Sequence, residues 1–200
     1  LGGLGDRALH VTVPLTPADR ALYGCDITLA GFPYLFRAES LRPLIGRDML
    51  VWGPPPPRWV SHPSARHFTG RYVSGPEKCK AMLAARIVLN QNHYAEISGT
   101  NKRTFEVAAI GAFQLTDTPA IRDVFDPDTE VAYFETQSEM LARIDEFLAD
   151  PDRRARMADK AQVRAHAEHT YEHRWVAHLA ALGVRPPADF PVQPESLAVR

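Results

Sequence analysis

The stretch NKRTFEVAAIGAFQLTD, residues 101–117, decides the fold. It reads as a short helix ending at Gly111, followed at once by a strand, Ala112–Thr116. A helix running straight into a strand is the repeating join of an α/β protein. The front of the helix is anomalous. Lys102 and Arg103 occupy the first turn, where the macrodipole favours anions and disfavours cations, and Glu106 follows one turn later.

Working outward, the same alternation recurs. CDITLAGF (25–32) predicts a buried strand closing on Gly31, and LFRAESLRPLI (35–45) an amphipathic helix with Leu41, Leu44 and Ile45 on one face. DMLVWG (48–53) predicts a second strand, cut off by prolines 54–57, and residues 58–74 are irregular. PEKCKAMLAA (76–85) predicts a helix with an early Pro76, RIVLNQ (86–91) a buried strand, and EVAYFE (130–135) another. Thr136 and Glu139 form a capping box for a helix whose Leu141, Ile144 and Leu148 share a face. Pro151 breaks the chain before a further helix, and a last one, about 170–182, ends at Gly183. The expectation is an α/β fold, a Rossmann-like parallel sheet with helices on both faces. Ligands of such sheets bind beyond the carboxyl ends of the strands, here Gly31, Gly53, Asn90 and Thr116.

Bulk properties narrow the function. Two hundred residues suit one domain with a real core, and a net charge of −1 gives no electrostatic reason to expect a nucleic-acid partner. Two cysteines, Cys25 and Cys79, are too few for a disulfide framework, read as small core residues, and suit a cytoplasmic setting. There is no apolar run of spanning length and no signal peptide. His10–Val13 is strand-like and is stopped by Pro14 and Pro17, as in a connector. The chain begins at Leu1 without Met, so residues 1–20 are read as a connector or the end of an absent N-terminal domain. Residues 21–183 are read as the binding domain, and 184–200 as a proline-rich tail.

The segment QNHYAEISGTNKRTFE offers Thr100 or Asn101 as N-cap of the 101–111 helix. A helix N-terminus at a strand's carboxyl end is an anion site. If phosphate sits there, Lys102 and Arg103 are well placed, and Arg37, after the Gly31 strand, converges on the same region. Two or three cations with backbone N–H groups fit a diphosphate. Glu106 then suits the vicinal hydroxyls of a ribose, since a carboxylate accepts from both. The bland alternative is a solvated i,i+4 pair of Lys102 and Glu106, in the poorer orientation and worth a few tenths of a kcal/mol.

Those residues, with IRDVFDPDTEVAYFETQSEMLARIDEFLADPDRRARMADKAQVRAHAEHTYEHRW (121–175), resemble the CgeB-like glycosyltransferases, named after a spore-maturation protein. The shared features are Asn-x-Arg-x-Phe-Glu, AxxGAFxLT, LADPDRRARMA and His-Thr-Tyr-x-x-Arg at 169–174. Upstream, CDITLAGFPYLFRAESL is similar to the family's first strand and Arg-bearing loop, and AARIVLNQ to its fourth-strand region. The likeness covers about 25–182. It implies one half, the C-terminal "glycosyl transferases group 1" donor domain, of a GT-B enzyme whose N-terminal half binds the acceptor. It further implies a nucleoside diphosphate sugar donor, with UDP favoured, and no cofactor or metal. Arg37, Lys102 and Arg103 would stabilise the departing diphosphate. Gly31, Asn101 and Glu106 would complete the donor site, with Gly70 and Arg71 of FTGRY (68–72) in a base-facing loop. Related enzymes often carry an acidic pair eight residues apart; here the earlier position is Ser98.

Two rivals stand beside this. HTYEH (169–173) matches H-x-x-E-H, which would make His169 and His173 zinc ligands, Glu172 a base, and His166 a neighbour on one face. Against it, Thr170 reads as an N-cap that leaves His169 outside the helix, with Tyr171 and Trp175 packing at i,i+4. The other rival is a non-catalytic module that binds a nucleotide or a partner. His62 and His67 lack a partner at ligand spacing and read as solvated or substrate-facing.

Overall fold

Period-two alternation in three apolar strands sets the layers. Ile27 and Leu29, Met49 and Val51, and Ile87 and Leu89 point into one core; Ala30, Trp52 and Val88 point into the core on the opposite face. The computed structural model describes residues 13–32, 34–54, 61–96 and 98–192. Its strands are β1 (Cys25–Ala30), β2 (Met49–Trp52), β3 (Ala85–Asn90), β4 (Gln114–Thr116) and β5 (Ala132–Tyr133). All pair in parallel, in the order β2-β1-β3-β4-β5. Strands buried on both faces and joined by helical crossovers favour this parallel sense.

The helices are α1 (Pro17–Tyr23), α2 (Leu35–Ser40), α3 (Gly75–Leu83), α4 (Lys102–Ala109), α5 (Gln137–Ala149), α6 (Pro151–Glu168) and α7 (Tyr171–Ala181). Met140, Ile144 and Phe147 of α5 cover the first face, while Tyr23, Ala81, Met82 and Val107 of α1, α3 and α4 cover the second. A third cluster joins α4 to α6 through Phe105, Ala108, Ala161 and Ala165. Gly111, at φ 74°, gives α4 the left-handed stop that turns the chain into β4.

The structure corrects several boundaries. The expected 35–45 helix is α2 plus a separate 3-10 turn, Arg42–Leu44, because Pro43 cannot continue the α-helical ladder. The strands expected at 112–116 and 130–135 shorten to β4 and β5. From Thr16 on, the segment read as a connector is helical. Thr16 and Asp19 form a capping box for α1, and Lys80 of α3 reaches Asp19 at 3.0 Å. At the start of α5, Thr136 caps Glu139, whose carboxylate turns back to the N–H of Glu135 instead of Thr136. Tyr171 and Trp175 are both exposed; Arg174 lies over Phe105, 4.1 Å from its ring centre. Residues 1–12, prolines 55–57 and the tail beyond 192 lie outside the described residues.

Candidate functional site

The cavity lies where the strand order reverses. From β1 the chain goes to β2 on one side, while β3 pairs on the other, so the loops after β1 and β3 part and leave a crevice at their carboxyl ends. The cavity holds about 260 Å³. Ala30 of β1 and Gly31 just after it, Trp52 from β2, and Gln91, His93 and Glu96 from the loop after β3 form part of its wall. Arg37 of α2, Tyr72 and Val73, Lys78 of α3, and Asn101, Lys102, Arg103 and Glu106 at the head of α4 complete it.

Strand-end amides fix the head of α4. Asn90 donates from Nδ2 to Thr104 Oγ1 (3.1 Å) and to Gln114 Oε1 (2.9 Å). Its Oδ1 accepts from Asn101 Nδ2 (3.1 Å) and from Arg103 Nη1 (3.3 Å). Asn101 Oδ1 caps the helix by accepting the Thr104 N–H. Asn92 holds the preceding loop through the Gly99 carbonyl (2.8 Å), and its own N–H bonds to Asp117 Oδ1 at 2.9 Å. Burial pushes the Asp117 carboxyl above the usual carboxylate range against that bond.

The charges are unevenly matched. Arg37 is 6% exposed; Nη1 donates to the Phe32 carbonyl at 2.8 Å, and Nε is buried with no partner. Its guanidinium stacks 4.6 Å from the centre of the Tyr34 ring. Among the described residues, no carboxylate lies within 4.0 Å of Arg37 or Arg103. Burial holds both guanidinium groups below their ordinary pKa, with Arg37 adding its repulsion to Arg103, yet an arginine stays cationic at neutral pH. Glu106 is occupied at both ends. Lys78 Nζ is 2.8 Å from Oε2 and Lys102 Nζ 3.7 Å from Oε1.

Six of the residues singled out from the sequence therefore share one cavity: Gly31, Arg37, Asn101, Lys102, Arg103 and Glu106. Gly70 and Arg71 are not in its lining. Gly70 makes a positive-φ turn and Arg71 pairs with Glu77, while the adjacent Tyr72 and Val73 face the cavity. His62 and His67 are corrected from solvated to buried. The segment 61–68 folds down on β2 through a Val51–Phe68 bridge, with His67 Nδ1 3.2 Å from the Met49 carbonyl. His62 Nδ1 bonds to Ser64 Oγ at 2.7 Å. Among residues that sequence reasoning did not single out as ligands, Lys78 lines the cavity, and Asn90, read only as a strand end, braces the head of α4. Lys78 carried the same signal as Lys102, a cation in the first turn of a helix.

HTYEH forms no metal site. His169 is the C-cap of α6, with Nε2 2.8 Å from the Val124 carbonyl. His173 Nδ1 meets Thr170 Oγ1, the N-cap of α7, at 2.7 Å. A helix break thus separates the two rings, and no group of three His, Cys, Asp or Glu among the described residues is arranged to hold a metal.

Comparison with known proteins follows the same lines. Sucrose-phosphate synthase from Thermosynechococcus elongatus superposes with TM-score 0.63 at 15% identity, over 87% of this chain and 50% of that one. A glycosyltransferase from Rickettsia africae gives 0.60 at 13% identity, over 90% and 54%. The C-terminal domain of a glycosyl transferase group 1 family protein, LpcC from Francisella tularensis, gives 0.56 at 13% identity, over 79% and 95%. The chain thus spans about half the length of the first two and nearly all of the third domain. No curated protein sequence matches it. The glycosyl transferase-like family model matches residues 36–180, from the residue before Arg37 into the last turn of α7, and the chain belongs to that family.

Proposed function

We propose that this chain is the donor-binding half of a GT-B glycosyltransferase that transfers a sugar from a nucleoside diphosphate sugar, UDP-linked by preference, to an acceptor held by an N-terminal domain. Within the family, the resemblance of the 101–117 and 121–175 motifs to the CgeB-like enzymes supports that subtype. One observation carries the proposal: two arginines, Arg37 and Arg103, face a cavity at the head of α4 with no carboxylate partner among the described residues. Buried charge without a counter-ion is costly, so an anion belongs there. At about 260 Å³ the cavity falls just below the usual range of ligand clefts, about 300–1,000 Å³, which suits a diphosphate with its ribose.

In the reaction the bond from the sugar C1 to the diphosphate oxygen breaks, its electron pair leaves with the diphosphate, and C1 bonds to the acceptor oxygen. Arg37, Lys102, Arg103 and the N-terminus of α4 meet the growing negative charge, which is the neutralisation a metal would otherwise supply. Glu106 takes the ribose hydroxyls, and Tyr72 and Val73 flank the base. Free Cys25 and Cys79 suit a cytoplasmic setting, and no described helix is long and apolar enough to cross a membrane.

Calorimetric titration with UDP, GDP, ADP and dTDP, without metal, tests this. One diphosphate binds selectively, and Glu106→Ala and the double substitution Lys102→Ala/Arg103→Ala each weaken it at least about tenfold, or 1.4 kcal/mol. Equal binding by the wild type and both variants would sink the assignment.

A further inference from the structure

Glu106 meets an incoming ribose already engaged, because both carboxylate oxygens face ammonium groups that compete with the hydroxyls for its lone pairs. Lys78 Nζ lies 2.8 Å from one and Lys102 Nζ 3.7 Å from the other. The two lysines come from different helices, α3 and α4, and both line the cavity that holds the unpaired arginines. Lys78 is three-quarters buried as a side chain, whereas Lys102 is 76% exposed, so Lys78 makes the closer and drier contact. Each is an ammonium on a flexible four-carbon stem, able to swing from a carboxylate to a phosphate oxygen without disturbing the backbone.

We propose that Lys78 is a ligand-binding residue that exchanges Glu106 for phosphate, so that the anion and diol subsites are positively coupled; the inference rests on the nucleotide reading above. With the cavity empty, Glu106 serves as counter-ion to Lys78 and Lys102. When a diphosphate arrives, it draws both lysines, and the carboxylate oxygens become free to accept from vicinal hydroxyls. A nucleoside alone must share the carboxylate with the ammonium groups and binds more weakly. A diphosphate removes that competition first. The ion pairs are partly exposed, so the coupling is several-fold and not larger.

Titrations followed by NMR on the whole chain test this with three probes: uridine, inorganic pyrophosphate and UDP (the guanosine or adenosine set if GDP or ADP is the diphosphate that binds). In the wild type, saturating pyrophosphate tightens uridine by about fivefold. In Lys78→Met, pyrophosphate binds more weakly, uridine alone binds more tightly than to the wild type, and the coupling falls below about twofold. Lys78→Arg keeps the coupling. A lysine that merely supported the fold would weaken both ligands on removal, and the amide spectrum of each variant reports whether it is folded. If UDP binds but Lys78→Met leaves the coupling intact or weakens uridine, the exchange is refuted and the nucleotide site stands. If none of the diphosphates binds the wild type, both fall together.

Discussion

At Gly31 a Cβ would overlap the guanidinium of Arg37; at Gly53 it would overlap the carbonyl oxygen of Gly31. The first obstacle is the end of a side chain and can move, while the second is backbone and cannot. Gly31→Ala should therefore push Arg37 from its place, lowering pyrophosphate affinity about tenfold with the melting temperature nearly unchanged. Gly53→Ala should cost about 1–3 kcal/mol, a fall of several degrees. Paired melting curves and titrations separate the two, and the reverse pattern would mean that Arg37 does not hold the anion. Lys102 and Arg103 were legible in the sequence because they break the dipole rule at a helix start. Lys78 breaks it too, but Glu77 beside it makes the turn look neutral. Only the fold shows Glu77 turned away, accepting from Tyr23 Oη at 2.8 Å and pairing with Arg71. His62 and His67 were illegible for a similar reason, since nothing local in 61–68 states that it packs on β2.

Among the elements, α1 was hidden by its own proline. Pro17 was read as a stop, yet proline at the first helical position lacks only an N–H that the helix does not use. Pro151 likewise opens α6. The Thr16 N–H and hydroxyl, with Lys80, hold the Asp19 carboxyl down from an ordinary 3.8 to about 2. A carboxylate lowered by folding adds stability above its unfolded pKa and loses it as pH falls through the folded one. Acid should thus loosen α1 from α3 between about pH 4 and 2. Asp19→Asn should lower the melting temperature at neutral pH and flatten its dependence in that window; equal slopes in the two proteins would remove Asp19 from the account. The strands were easier to read: β3 carries Ile87, Val88 and Leu89 on both faces and ends at Asn90, and β1 alternates Ile27 and Leu29 before Gly31.

For the whole molecule, a ligand that binds only the folded state adds about 2.7 kcal/mol at a hundredfold excess over Kd. In a chain of this size that corresponds to a rise of about 5–10 °C in melting temperature. The selected diphosphate should give that rise in a thermal scan, and none of it in Arg37→Met; a rise that survives the substitution would place the anion elsewhere. The fold class followed from alternating strands and helices, but the cavity did not. It depends on β1 lying between β2 and β3, a neighbourhood that no local pattern states. Loops after β1 and β3, far apart in the chain, become the two lips of one crevice.

The order β2-β1-β3-β4-β5 also has a direction in time. A chain emerging from the ribosome makes β1 first, and each later strand finds a free edge: β2 on one flank, β3 on the other, then β4 and β5 outward. No strand must be wedged between two that have already paired, so this order leaves a free edge for each strand in turn. Every residue that lines the cavity has been made once α4 is synthesised, while β5 and the three helices after it are still to come.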